Sequence, residues 1–283
     1  MTESPIEAIQ DAQGTDSVVT EDAIAWLAHY GYLAGAIASA AINPILAVFS
    51  FASALMEMQT AAGIPATGQL DDATREMMSR PRCGVLDVMR MVEFARWRKN
   101  RLTYAVQGYV SGLSQADQMD LIGVAWRQWQ DHADIVLTPT TATPDIVITT
   151  GQGRAQGFDG PSGTLAWAYL PNGSDGQLLM RFDLDESWGK DSGIRLLNVA
   201  THEFGHLLGL DHSHVSSALM APYYSPGVSK PQVNDDIPRI VALYGAATGT
   251  PTPPTTPTPT DAIEVAGRYR GQLFRGKLTP SAT

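Results

Sequence analysis

Hydrophobic positions along the chain change period twice. After a polar opening, Ile24, Leu27, Tyr30 and Leu33 recur at the spacing of one helix face, behind Thr20 as a candidate N-cap. A second helical run covers residues 49–62 and stops at Gly63 and Pro65; a third covers residues 70–79 before Pro81. Beyond Arg101 the period shortens, with strand patterns at 102–106, 135–138, 145–149 and 178–182. They flank a helical stretch at 115–131 that carries Leu121, Val124, Ala125 and Trp129, and the glycine-rich residues 151–177 read as loop. Helical patterns at 193–208 and 235–244 follow. Strands alternating with helices predict an α/β domain over residues 100–247, preceded by a small all-α unit over 20–99.

Three stretches stand outside this pattern. Residues 1–19 read as a flexible leader, and 248–260, rich in proline and threonine, as an extended linker. Residues 261–283 carry Arg268, Arg270, Arg275 and Lys277 and read as a short tail of unassigned role. Residues 32–56 contain no charged side chain, a length that could cross a bilayer. The run is rich in small residues and broken by Asn43-Pro44, which favours two buried helices joined by an apolar loop.

At 44% hydrophobic and 17% charged residues, the composition is that of a globular protein. The net charge of -10 argues against a nucleic-acid partner. Cys83 is the single cysteine, so no intrachain disulfide forms. The acidic N-terminus lacks the basic and apolar regions of a secretory signal.

The chemistry concentrates at His202-Glu203-Phe204-Gly205-His206-Leu207-Leu208-Gly209-Leu210-Asp211-His212. On a helix, His202 and His206 project from one face and can grip one metal ion. A left-handed turn at Gly209 would bring His212 round as a third nitrogen. Three neutral imidazoles leave a fourth tetrahedral position open, as in a catalytic zinc site, where zinc lowers the pKa of bound water towards roughly 7. Glu203 is placed to take a proton from that water and pass it to a leaving amine.

This motif, with Met220 downstream, resembles the metzincin signature, and Ser213 after the third histidine resembles the matrixin branch, the matrix metalloproteinases. The resemblance implies an α+β/α/β chain: a small three-helix prodomain, then a catalytic domain with a twisted mixed sheet, an active-site helix and a C-terminal helix. Met220 would form the floor beneath the zinc. Pro81-Arg82-Cys83-Gly84-Val85 resembles the matrixin cysteine switch, with Leu86 where the family has proline and Asp87 as in the family. It implies that the Cys83 thiolate fills the open zinc position until the N-terminal segment is removed. Arg82 is expected to pair with an acidic group, and activation to cut within 88–101.

Two further segments resemble the matrixin calcium loop and its partner. They imply Ca2+ bound by the carboxylates of Asp159, Asp183 and Glu186 and the backbone carbonyls of Gly160, Ser162 and Thr164. At the family's second, structural zinc this chain has Gln152, Arg154, Trp167 and Arg181, which cannot replace its ligands, so a single zinc is expected. Asn198, Pro222 and Tyr223 are implied to line the pocket for an apolar residue after the cut bond. The expected function is a latent zinc endopeptidase acting on proteins or peptides, activated by another protease or by itself, monomeric and extracellular. The competing expectation is a membrane- or particle-associated protein carrying a protease domain.

Overall fold

The structure, a computed structural model, describes residues 4–33, 43–88, 96–247, 263–269 and 272–278. Helix α1 (Pro5–Gln13) begins where Ser4 and Glu7 cap each other. The Glu7 N–H donates to Ser4 Oγ at 3.2 Å and the Ser4 N–H to Glu7 Oε2 at 2.7 Å, with Pro5 in the first turn. This corrects the expectation of a flexible leader: a self-capped helix that buries Ile9 has both local and tertiary reasons to order. Helix α2 (Ser17–His29) starts at Asp16, whose side chain accepts the Val19 N–H, and not at Thr20, which is buried within the helix.

Asn43-Pro44, expected to interrupt the apolar run, instead starts α3 (Pro44–Ala61): Asn43 caps the Ile45 N–H and proline suits the first turn. Helix α4 (Asp72–Met78) is capped by Asp71. Among the described residues four helices therefore precede Arg82 where three were expected. Ile9, Leu27, Phe51, Leu55 and Met58 meet in one apolar cluster. Among the described residues α3 is the one helix long and apolar enough to cross a membrane; its Ala47, Phe51, Leu55 and Met58 are buried, while Ile45, Leu46 and Phe49 are exposed. Residues 34–42, part of that apolar run, lie outside the described residues.

One six-stranded sheet runs in the order β1 (Arg82–Cys83), β5 (Thr164–Ala168), β6 (Leu178–Asp183), β4 (Ile146–Gly151), β2 (Arg101–Val106), β3 (Val136–Pro139). Within this sheet, among the described residues, β5 and β6 alone pair antiparallel. Strand β5 lies within the stretch expected to be loop. Flanking glycines and a five-residue length concealed it, and pairing with β6 through Ala166↔Phe182 and Ala168↔Met180 creates it. Helix α5 (Gln115–Gln130) makes the crossover between parallel β2 and β3. A short parallel ladder, β7 (Trp188–Gly189) with β8 (Ile194–Arg195), leads into α6 (Leu196–Leu207); α7 (Asp236–Tyr244) closes the region.

Almost every residue of α6 is buried. Trp129 on α5 donates its Nε1–H to Thr201 O at 2.8 Å, and Trp126 meets Phe204 edge-on. The carbonyls at the end of α6, which have no partner within the helix, are satisfied from afar: Trp97 Nε1–H donates to Leu207 O (2.7 Å) and the Tyr244 hydroxyl to Leu208 O (2.8 Å).

The linker residues 248–260 lie outside the described residues. The stretch expected as a tail holds an antiparallel hairpin, β9 (Ile263–Tyr269) with β10 (Gln272–Leu278), paired from Ile263↔Leu278 to Tyr269↔Gln272.

Candidate metal centre

Helix α6 sets His202 and His206 one turn apart, their Nε2 atoms 3.0 Å from each other. Each ring is oriented from behind: His202 Nδ1–H donates to Leu219 O and His206 Nδ1–H to Leu210 O, both at 2.7 Å. A hydrogen bond at Nδ1 fixes the tautomer that leaves Nε2 free for a metal. The chain leaves α6 through Gly209 at φ +98, a region costly for other residues, and His212 comes back to the cluster. Ligand atoms of Cys83, His202, His206 and His212 all lie within 4.8 Å of one another, a set that could hold one metal ion.

Burial lowers His202 to about 3 and His206 well below the ordinary imidazole value, with His212 adding to both shifts; burial lowers His212 as well. The three rings are therefore neutral at physiological pH, the form that ligates. Glu203 is fully buried, and neither carboxylate oxygen has a hydrogen-bond partner among the described residues. Burial pushes its carboxyl up to about 8. His212 Nε2 is likewise buried and unpartnered among the described residues. Such orphaned groups suit a cation, and the nitrogen and sulfur donor set suits zinc.

The floor of the cluster is packed without slack. Met220 is fully buried, and a Cβ on Gly205 would overlap its Sδ and Cε, so a larger residue there must displace the methionine side chain. The Met220 carbonyl accepts the Ser213 N–H at 2.8 Å, tying the loop after His212 to this turn. Asp236, buried at the start of α7, accepts the N–H groups of Leu219 (2.8 Å), Met220 (3.1 Å) and Gln232 (2.7 Å). Sequence reasoning missed this role of Asp236, because a carboxylate in a helix's first turn also reads as a solvated dipole partner.

Cys83 reaches the cluster on strand β1. The Arg82 N–H donates to Gly163 O and the Gly84 N–H to Ala166 O on one side; the Cys83 N–H donates to Pro222 O and Pro81 O accepts the Tyr224 N–H on the other. A Cβ on Gly84 would stand 2.5 Å from Thr164 Cγ2, so glycine permits the close approach. Cys83 Sγ is 3.4 Å from His206 Nε2. Arg82 is 1% exposed, its guanidinium 3.6 Å from the centre of the Tyr30 ring and near those of Tyr223 and Trp26. Its acidic partner is Asp87, at 2.5 Å.

A cavity beside His202 and Glu203 is lined by Asn198, Leu219, Pro222, Tyr223 and Val228, among others. Asn198 both lines and braces it, donating Nδ2–H to Ser225 O (3.3 Å) and Pro226 O (3.2 Å).

Residues 96–245 match the sequence profile of the matrixin family. The chain belongs to the matrixins. It is 42% identical over 221 residues to the hatching enzyme of Paracentrotus lividus, an alignment covering 75% of this chain and 37% of that protein. It is 41% identical over 242 residues to matrix metalloproteinase-18 of Xenopus laevis, covering 79% and 51%. With human matrix metalloproteinase-15 it shares 36% over 270 residues, covering 83% and 39%. The chain thus spans between 37% and 51% of the length of these relatives.

In this matrixin each of the acids expected at calcium accepts a backbone N–H. Asp159 Oδ1 accepts the Thr164 N–H (2.7 Å), Glu186 Oε1 the Ser162 N–H (2.6 Å) and Asp183 Oδ1 the Asp185 N–H (2.9 Å). Gly160 and Ser162 both adopt positive φ in the loop between them. Asp183 Oδ2 is buried with no partner among the described residues. Burial raises Asp183 and Glu186 above ordinary carboxylate values, and the neighbouring acids raise them further. The Thr164 hydroxyl pairs with the Tyr30 hydroxyl at 3.1 Å.

At the positions of the family's second zinc, side chains hold the loop directly. Gln152 Nε2–H donates to Asp185 Oδ1, Trp167 Nε1–H to Gln156 O, and the Arg181 guanidinium lies 5.3 Å from the Trp167 ring centre. Arg154 opens the short 3-10 turn between Gln152 and Trp167.

Proposed function

We propose that this matrixin is a zinc-dependent endopeptidase kept latent by its own N-terminal segment. The observation that carries the reading is the convergence of the Cys83 thiol with the three imidazoles, beside a buried and unpartnered Glu203. His202, His206 and His212 would hold the ion, and Cys83 would occupy its fourth position in the intact chain. A zinc ion there supplies Lewis acidity and an acidified water near neutral pH. In its ionised form, which a bound cation favours over burial, Glu203 would accept the proton of the attacking water and deliver it to the amine of the departing chain.

Once the 81–84 segment leaves, β5 and residues 222–224 regain the backbone groups that now bind it. An extended peptide fits that slot as a strand, with carbonyls on both sides and the Tyr224 N–H on one. The side chain that follows the cut bond enters the cavity bounded by Asn198, Pro222 and Tyr223, whose apolar walls favour an apolar residue. Asp159, Asp183 and Glu186, with the carbonyls of Gly160, Ser162 and Thr164, form the calcium site of this reading. The inhibitory prodomain then covers residues 20–99 with α1 added, and the catalytic domain 100–247. Protein or peptide substrates outside the cell, a monomeric enzyme and one zinc per chain complete it.

The test is cleavage of a peptide library by protein processed to remove residues 1–99, with elemental analysis of the same sample. Cuts before apolar residues and one zinc per chain are expected. Zinc-replete protein that cuts nothing overturns the endopeptidase reading, and two firmly held zinc ions overturn the single site.

A further inference from the structure

His202 and His206 are each braced by a backbone carbonyl of the region that bears them. Among the described residues no carbonyl does this for His212, and neither of its ring nitrogens makes an aligned hydrogen bond. Its Nδ1 lies instead 2.8 Å from Asp87 Oδ1, and Asp87 belongs to the segment that carries Cys83.

Asp87 is itself held firmly. The Asp87 and Val88 N–H groups both donate to Tyr30 O, at 3.0 and 3.3 Å, just past the end of α2. Gly31 makes that approach possible: it adopts φ +88, and a Cβ there would stand 2.5 Å from Val88 O. Arg82 Nη2 sits on Asp87 Oδ1 at 2.5 Å, and the Tyr32 hydroxyl donates to Oδ2 at 2.7 Å. The Asp87 side chain is 6% exposed, as is that of His212. A buried carboxylate with both oxygens engaged has little freedom to turn away from the ring it faces.

We infer that Asp87 is a positioning residue for the metal in the latent chain: its carboxylate fixes the His212 imidazole as the Nδ1–H tautomer and leaves Nε2 for the ion. This rests on the zinc reading proposed above. The segment that fills the open position therefore also tightens the site it blocks. A carboxylate behind a ligating histidine orients the ring and raises its basicity, and losing one typically weakens metal binding about 10–100-fold. When the segment leaves the cleft, Cys83 and Asp87 leave together. The ion then loses one ligand and the brace on another.

The experiment uses the intact full chain in four forms: wild type, Asp87→Ala, Asp87→Asn and Tyr32→Phe. Each is loaded with zinc and competed against a chromophoric chelator. Each is also loaded with cobalt(II), whose thiolate absorption reports whether Cys83 remains bound. Both Asp87 variants are expected to bind zinc about 10–100-fold more weakly with the thiolate absorption retained. Tyr32→Phe, which spares the carboxylate, stays at the wild-type affinity. If Asp87→Ala sheds Cys83, Asp87→Asn decides by the same criterion, since its amide oxygen still accepts from Arg82 or Tyr32. Loss of the thiolate absorption in both variants overturns the inference, because Asp87 then anchors Cys83 and not His212. Wild-type affinity in both Asp87 variants overturns it alone. A wild-type chain that takes up no zinc overturns the metalloprotease reading as well.

Discussion

The apolar cluster around α6 and the cluster among α1, α2 and α3 share one compact unit, residues 1–249, but are finished differently. Around α6, indole and phenol groups close the helix end, Asp236 collects stray amides and Met220 fills the space opposite Gly205. The seam between the two clusters is made of other material. Tyr30 shares a hydroxyl bond with Thr164, Arg82 lies among Tyr30, Tyr223 and Trp26, and Asp87 faces Tyr32 and His212. Of the sheet region's hydrophobics, Tyr223 packs against the helical cluster. Water can replace hydrogen bonds at small net cost, whereas an opened apolar core loses its stabilisation outright. A polar seam would let one region leave without unfolding the other, as the latency proposed above requires.

The largest expected effect lies in the region around α6. Glu203→Ala should lower peptide turnover by about 10²–10⁴-fold with zinc content unchanged, since the imidazoles stay in place. Near-normal turnover in a zinc-replete variant would remove the proton carrier from this site.

Next comes the seam. Cys83→Ser should make the intact chain active, or self-processing, without any added protease, because a hydroxyl is a far poorer metal ligand than a thiolate. A thiol-reactive mercurial should activate the wild type and do nothing further to the variant. A Cys83→Ser chain that stays fully latent would mean that the helices merely cover the cleft.

Overpacking sharpens the contrast. Gly205→Ala places a methyl group where Met220 already sits and should cost about 1–3 kcal/mol, read as a lower Tm. Gly14→Ala in the helical region meets no atom within 4 Å and should show only the cost of its left-handed φ. Equal losses would mean that the two regions are packed alike.

The smallest effect is electrostatic. Burial works against the charge of Asp145, but Lys99 and the Thr103 N–H outweigh it and hold the carboxyl below its ordinary value. A depressed carboxylate stabilises the fold above its unfolded pKa, about 3.9, and the contribution disappears as pH falls through the folded value. Asp145→Asn should therefore cost about 0.5–1 kcal/mol at pH 7 and approach wild-type stability in strong acid. A loss that does not change with pH would assign the effect to packing.

Much of the site was legible before any fold was known. His202 and His206 share a face because four residues make about one helical turn, and Gly209 announces the turn that frees His212. Cys83 within Pro-Arg-Cys-Gly-Val resembled its family's switch on local residues alone. The helix starts were less legible: Asp16 rather than Thr20, and Ser4 with Glu7 in a stretch read as a leader. Short polar residues serve equally as caps or as solvated loop, and burial of Ile9 settles which.

What the tertiary structure alone decided are the pairings between segments far apart in the chain. Strand β5 exists because β6 and the Cys83 segment pair with it, and no periodicity of its own five residues announced it. The bracing of His202 by Leu219 O and the approach of Asp87 to His212 have no counterpart in any local spacing. Sequence neighbours encode turns, caps and helix faces through short-range sterics and periodicity. Which carboxylate meets which imidazole depends on how two apolar clusters dock, and that choice is spread over every residue that shapes their surfaces.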